Sequence, residues 1–160
     1  MDNFLSNEIR ELVSNKVARN IEFCVNQHFE EARKYGESKF LAKIEAKKNG
    51  ANTVTGMYSK DTEKSYRKHA KHVIGRVIAN HPEVRTVSDI IPHIKEEIES
   101  EIKSGVGAYS IRLRVAACVT ALGVDNYHSF GIVSLPPRSV HECKRTRTRS
   151  ISDKKLVGEK

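Results

Sequence analysis

Residues 59–79 read SKDTEKSYRKHAKHVIGRVIA, and their apolar positions return at steps of three and four. Tyr66, Ala70, Val73, Ile74, Val77 and Ile78 therefore share one face of a 3.6-residue helix and mark it as a core face. Lys60, Lys64, Arg67, Lys68 and Lys71 project elsewhere. Only Asp61 and Glu63 oppose them, near the helix start, where negative charge suits the macrodipole. Ser59 occupies the N-cap position, and His81-Pro82 closes the helix because a residue before proline is pushed out of the α region. A helix with one apolar and one basic side suggests an anionic partner. Taken alone it is equally well a solvated lysine face.

Toward the N-terminus, residues 5–35 contain neither Gly nor Pro, and Leu5, Ile9, Val13, Val17, Ile21, Val25 and Phe29 recur every fourth residue. The pattern predicts one long helix. A four-residue step outruns the helical turn, so its apolar stripe drifts around the axis and wraps across a body. Six acids (Asp2, Glu8, Glu11, Glu22, Glu30, Glu31) against Arg10, Lys16 and Arg19 make residues 1–32 a poor phosphate-facing surface and suit them to packing or pairing with a partner. Gly36 is expected to end this helix and Ser38 to cap a short amphipathic piece with Phe40, Leu41 and Ile44. NGAN at 49–52 breaks it, and the β-branched and glycine residues of 53–58 form a linker and the best internal boundary.

Beyond the basic helix, TVSDII leads to Pro92 in a first turn, and Ile91, Ile94, Ile98 and Ile102 mark the buried side of a helix ending at Gly105. Its outer face is expected to be acidic, with Glu96, Glu97, Glu99 and Glu101. Residues 77–101 hold six acids against two bases, so the chain reads as electrostatically two-sided. GVGAYS turns into another helix, with Ile111, Val115, Cys118, Val119 and Leu122 inside, Arg112 and Arg114 outside, and its stop at Gly123. FGIVSL, at 130–135, reads as a loop with a short extended piece. Pro136-Pro137 is a stiff spacer before RSVHECKRTRTR at 138–149, a basic arm in which Arg138, Lys144, Arg145, Arg147 and Arg149 face one glutamate.

A length of 160 residues gives one main core plus an appendage. A hydrophobic fraction of 38%, a charged fraction of 30% and no tryptophan suit a helix-rich globular chain and exclude disorder throughout. The net charge of +8 and pI near 9.5 place nucleic acid first among partners. Cys24, Cys118 and Cys143 are odd in number and widely spaced, so no disulfide framework is implied. The N-terminus lacks a signal-peptide pattern and no window approaches a membrane span, which points to the cytoplasm and to no membrane partner.

Chemistry-bearing motifs are sparse. His69 and His72 lie three apart and His141 two before Cys143, but neither pair is joined by a second of suitable spacing, so no metal and no cofactor is expected. A Gly-rich phosphate loop, a nucleophile elbow and paired catalytic carboxylates are all missing, which argues against an enzyme.

Ser59, Thr62 and Tyr66 in S-x-x-T-x-x-x-Y, the helix ending before Pro82, the TVSDI segment, and G-x-x-A-Y-S-I-x-x-R-V-A-A-C at 105–118 together resemble the core-binding domain of tyrosine recombinases, the phage-type integrases. The likeness spans about residues 59–123, with Ser110 and Ile111 at the start of the family's third helix. It implies a compact SAM-like helical bundle forming half of a clamp around duplex DNA. The family's catalytic arginine, lysine, H-x-x-R box and tyrosine nucleophile have no counterpart here, so a catalytic domain is absent and no tyrosine takes a catalytic role.

The expectation is an all-α fold. A helical extension occupies 1–52, a helical bundle 53–135, and a basic linker or tail 136–160. Tyr66, Val73, Ile74, Val77, Ile94, Ile98, Ile111, Val115, Val119 and Leu122 should share one core. The expected function is a DNA-binding module for recombination or integration. Lys60, Lys64, Arg67, Lys68, Lys71, Ser110, Arg112, Arg114 and the arm would contact DNA. The alternative is a small interaction or inhibitor protein that docks a partner, or a second copy, through its 5–35 helix and basic face.

Overall fold

The structure, a computed structural model, describes residues 4–48 and 60–137. Its elements are all helical: α1 (Asn7–Arg10), α2 (Asn15–Lys48), α3 (Lys60–Asn80), α4 (Val87–Ile90), a 3-10 turn at Ile91–His93, α5 (Ile94–Lys103), α6 (Ala108–Leu122) and a 3-10 turn at Tyr127–Phe130. No strand occurs among the described residues, and none of their helices is long and apolar enough to cross a membrane. Ser59, the 53–58 linker and the 138–149 arm lie outside them.

α3 is the centre of the bundle. Its buried face, Ala70, Val73, Ile74, Gly75, Val77 and Ile78, packs most extensively on α6 and also meets α1, α4 and α5. One core joins this face to Ile90, Ile94, Ile98, Ile111, Val115, Cys118 and Leu122, with Tyr66 and Val119 partly buried against it. Phe4, Leu5, Ala18, Ile21, Val25 and Phe29 belong to that same core. The boundary expected at 52/53 therefore falls between two helices of one packed body. Burial also pushes the Cys118 thiol up, which keeps it protonated and makes it a packing group.

Several expected boundaries move, each for a physical reason. The helix anticipated over 5–35 is interrupted at residues 11–14. Ser6 and Ser14 accept hydrogen bonds from the amides of Ile9 and Val17, and such residues compete for backbone as caps better than they sit in a helix interior. Leu5 and Ile21 still reach the core, so the apolar stripe survives the break. α2 then continues through Gly36 rather than ending there. One interior glycine costs about 1 kcal/mol. The strong helix formers around it, the Glu30–Lys34 pair at 3.3 Å and Lys39 over the Tyr35 ring offset that cost. The half of α2 beyond Phe29 leaves the core, and Tyr35 and Leu41 are 65% and 64% exposed.

α4 starts on a capping box in which the Thr86 hydroxyl accepts from the Asp89 amide and the Asp89 carboxylate accepts from the Thr86 amide. The 3-10 turn holding Pro92 then changes the register before α5, which ends with Ser104 as its C-cap, just before Gly105. On α5 the buried residues are Ile94, Glu97, Ile98 and Glu101, while Ile102 is exposed. At about 100° per residue, Glu101 lies about 20° from Ile94 around the axis and Ile102 about 80°. The anticipated acidic outer face is thus split: Glu96 and Glu99 face solvent, and Glu97 and Glu101 turn inward.

Gly123 closes α6 at φ +70. A Cβ there would fall 2.6 Å from Nε2 of His28, whose Nδ1 lies 2.7 Å from the Ala121 carbonyl oxygen. Positive φ and the close approach of α2 both call for glycine at this position. Phe130 and Ile132 then fold back into the core, so the segment read as a loop contributes to packing.

Candidate nucleic-acid interface

Lys60, Lys64, Lys68 and Lys71 are all exposed on α3. They fall within an arc of about 80° around the axis at about 100° per residue, which makes one continuous stripe. None forms an ion pair with a described acid. Long, hydrated ammonium groups in this setting contribute little to the fold.

The arginines behave differently. Arg67 lies about 20° from Ile74 around α3, on the border of the core. Its Nε donates to Glu63 at 3.0 Å, its Nη1 donates to Asn26 at 2.6 Å, and its guanidinium stacks 4.6 Å from the Phe29 ring centre. Arg33 of α2 grips the same Glu63 through Nε at 3.0 Å and Nη2 at 2.8 Å. Burial alone pushes the Glu63 carboxyl up. The hydrogen bonds and charges of Arg33 and Arg67 outweigh it and hold the group below the usual carboxylate range.

Arg114 of α6 donates to the buried Glu101 at 2.7 Å, and that carboxylate's other oxygen lies 3.0 Å from His72 Nε2. Arg76 donates to the buried Glu97 at 2.5 Å, with Asn80 donating to its second oxygen at 3.1 Å. Glu22, also buried, accepts from the Leu5 amide at 2.9 Å and pairs with Arg10, tying α1 down. The acids that composition set against the basic side are in these cases its internal counter-charges. Burial depresses the affinity of His69 for a proton, and the cations Arg114, Lys68 and His72 lower it further against the opposing pull of Glu101.

Of the residues expected at a DNA surface, the structure brings Lys60, Lys64, Lys68 and Lys71 into one exposed row. Arg67 and Arg114 are engaged inside the molecule. Arg112 is half-buried, and its Nε donates to the Pro136 carbonyl at 2.9 Å, toward the start of the arm. Ser110 is half-buried in the first turn of α6. Arg138, Lys144, Arg145, Arg147 and Arg149 lie outside the described residues.

An open groove of about 320 Å³ runs beside the stripe, between α1 and α3. Lys68, Lys71, His72 and Arg76 rim it, with Ile9 packed 3.4 Å from where a Cβ on Gly75 would stand. Sequence periodicity alone left this groove unseen, because its α1 wall exists only after the chain reverses at 11–14. A histidine cluster is likewise brought together by folding. His81, Glu83 and His93 have potential ligand atoms within 4.8 Å of one another, whereas His69 and His72 have no third ligand among the described residues. No protein-family model, curated protein or solved structure matches this chain.

Proposed function

We propose that this chain is a duplex-DNA-binding module, of the kind that forms one half of a recombinase clamp, without catalytic residues of its own. The lysine row of α3 carries this reading: four exposed cations, aligned on one side of a core-anchored helix and unpaired with described acids, form a surface suited to a phosphate backbone. Phosphate contacts of this kind position a protein and give little sequence preference. Any preference falls to Arg112 or Ser110.

If the row neutralises four phosphates, log affinity falls against log salt with a slope of about −3.6, and binding weakens on the order of 150-fold between 50 and 200 mM salt. Titration of a labelled duplex at several salt concentrations tests this. Reversing Lys64 and Lys68 to glutamate should weaken binding to every duplex and flatten the slope by about 2. Absence of binding at 50 mM, or binding indifferent to salt, overturns it.

A second reading has its own observation. The far half of α2 presents Tyr35 and Leu41 to solvent on a helix that has left the core, which suits docking of a protein partner. In that case Leu41→Glu abolishes partner binding and leaves the salt-dependent DNA titration unchanged.

A further inference from the structure

The groove between α1 and α3 continues the lysine row but differs from it in chemistry. Lys68 and Lys71 belong to both. At about 100° per residue, Lys71, Gly75, Ala79, His72 and Arg76 follow one another around α3 within an arc of about 140°. Gly75 and Ala79 therefore make a floor without side-chain bulk, with Lys71 on one flank and two planar side chains on the other. Ile9 of α1 adds to its apolar lining.

Packing gives no reason for glycine at position 75. Gly75 lies inside α3 without the positive φ that calls for this residue. A Cβ there would meet Cγ1 of Ile9 at 3.4 Å and Cδ1 at 3.7 Å, within ordinary van der Waals reach. Alanine would fit and would favour the helix. What glycine preserves is the depth of the groove.

His72 and Arg76 are held in place at its edge. His72 Nε2 lies 3.0 Å from the buried Glu101, and Arg76 Nε donates to the buried Glu97. Their side chains nevertheless remain 46% and 52% exposed. Both glutamates belong to α5, so the imidazole and the guanidinium are each fixed through one nitrogen while their open parts border the groove. Planar groups already ordered in this way lose little freedom when a base stacks on them. A volume of about 320 Å³ suits a single nucleotide unit, whereas an amphipathic peptide helix needs anchor sites spread over two turns.

We propose that the groove takes one unpaired base of a DNA strand whose phosphates lie along Lys60, Lys64, Lys68 and Lys71. Cations for the backbone beside a platform for the base are the two parts of a single-strand site. The rise along α3 from Lys71 to Gly75 is about 6 Å, which is the reach of a base from its own phosphate. The assignment rests on the reading of the lysine row as a phosphate surface and names the preferred substrate, a duplex with a short single-stranded end.

Fluorescence anisotropy with three labelled DNAs of equal duplex length provides the test: one blunt, one with a short single-stranded end, 3′ or 5′ in turn, and one with the same end lacking its bases. The end with bases should bind about 5–100-fold tighter than the abasic end, which carries the same number of phosphates. Ala79 is exposed, so Ala79→Gln fills the groove with a neutral side chain and spares the core. It should erase that difference and leave blunt-duplex affinity and its salt slope as in the parent. Equal binding of the two ends by the parent chain, or an undiminished difference in Ala79→Gln, would overturn the groove assignment while the blunt duplex still reports on the lysine row. Failure to bind any of the three DNAs at low salt would overturn both.

Discussion

The lysine row of α3 and the arginines around it carry the same sign of charge but do different work. Lys60, Lys64, Lys68 and Lys71 stand in solvent, whereas Arg76 and Arg114 each hold a glutamate of α5 from a neighbouring helix and Arg67, paired with Glu63 on its own helix, reaches Asn26 of α2. The planar guanidinium fits a carboxylate geometrically and is less strongly hydrated than an ammonium, so arginine is the cation that helix–helix contacts can use. Pairing with buried glutamates thus withdraws Arg76 and Arg114 from the basic surface that a net charge of +8 suggests. The basic side is delimited by which cations lack a counter-charge.

Four measurements would break or sharpen that contrast. Replacing Glu101 by alanine has the largest expected effect. It strands the mostly buried Arg114 and releases His72, at a cost of about 3–5 kcal/mol in urea unfolding. A loss below about 1 kcal/mol would mean that Arg114 reaches solvent and belongs with the lysines. Next is Arg67→Lys, which keeps the charge but loses the paired donors on Glu63 and Asn26 and the stacking on Phe29. Stability should fall by about 1.5–3 kcal/mol while DNA affinity holds within about twofold.

Replacing both Lys64 and Lys68 by alanine should move stability by less than about 0.5 kcal/mol while DNA affinity drops, the reverse of the Arg67 result. The smallest effect concerns pH. His69 takes its proton less readily when folded than its ordinary value of 6.5, so the unfolded chain binds the proton first as pH falls. Its contribution to stability is complete above pH 6.5 and diminishes below it. Melting temperatures at pH 7.5 and 5.5 should converge in His69→Gln relative to the parent. An unchanged difference would remove His69 from the account.

Much of the architecture was legible because it follows from local periodicity. α3, α6 and the stop at Gly123 could be read from apolar spacing and one glycine. The lysine row was legible in the same way. Other features were within reach but obscured by residue type. Glu97 and Glu101 lie at core positions by angle, yet glutamate argues for solvent, and the bases that neutralise them belong to α3 and α6. The break at 11–14 was signalled by Ser6 and Ser14, against a stronger apolar repeat running straight through it.

The sequence by itself determined the helical class, the apolar faces and the existence of a row of cations, since each depends on neighbours within a turn or two of helix. Tertiary structure alone decided which charges remain available and which groups meet. Glu101 reaches Arg114 and His72, Arg112 reaches Pro136, and His81 stacks on His93 across intervals of chain whose length carries no periodic signal. Pairing energies of that kind depend on distance and burial in three dimensions, and the packing of α3 against α5 and α6 supplies both.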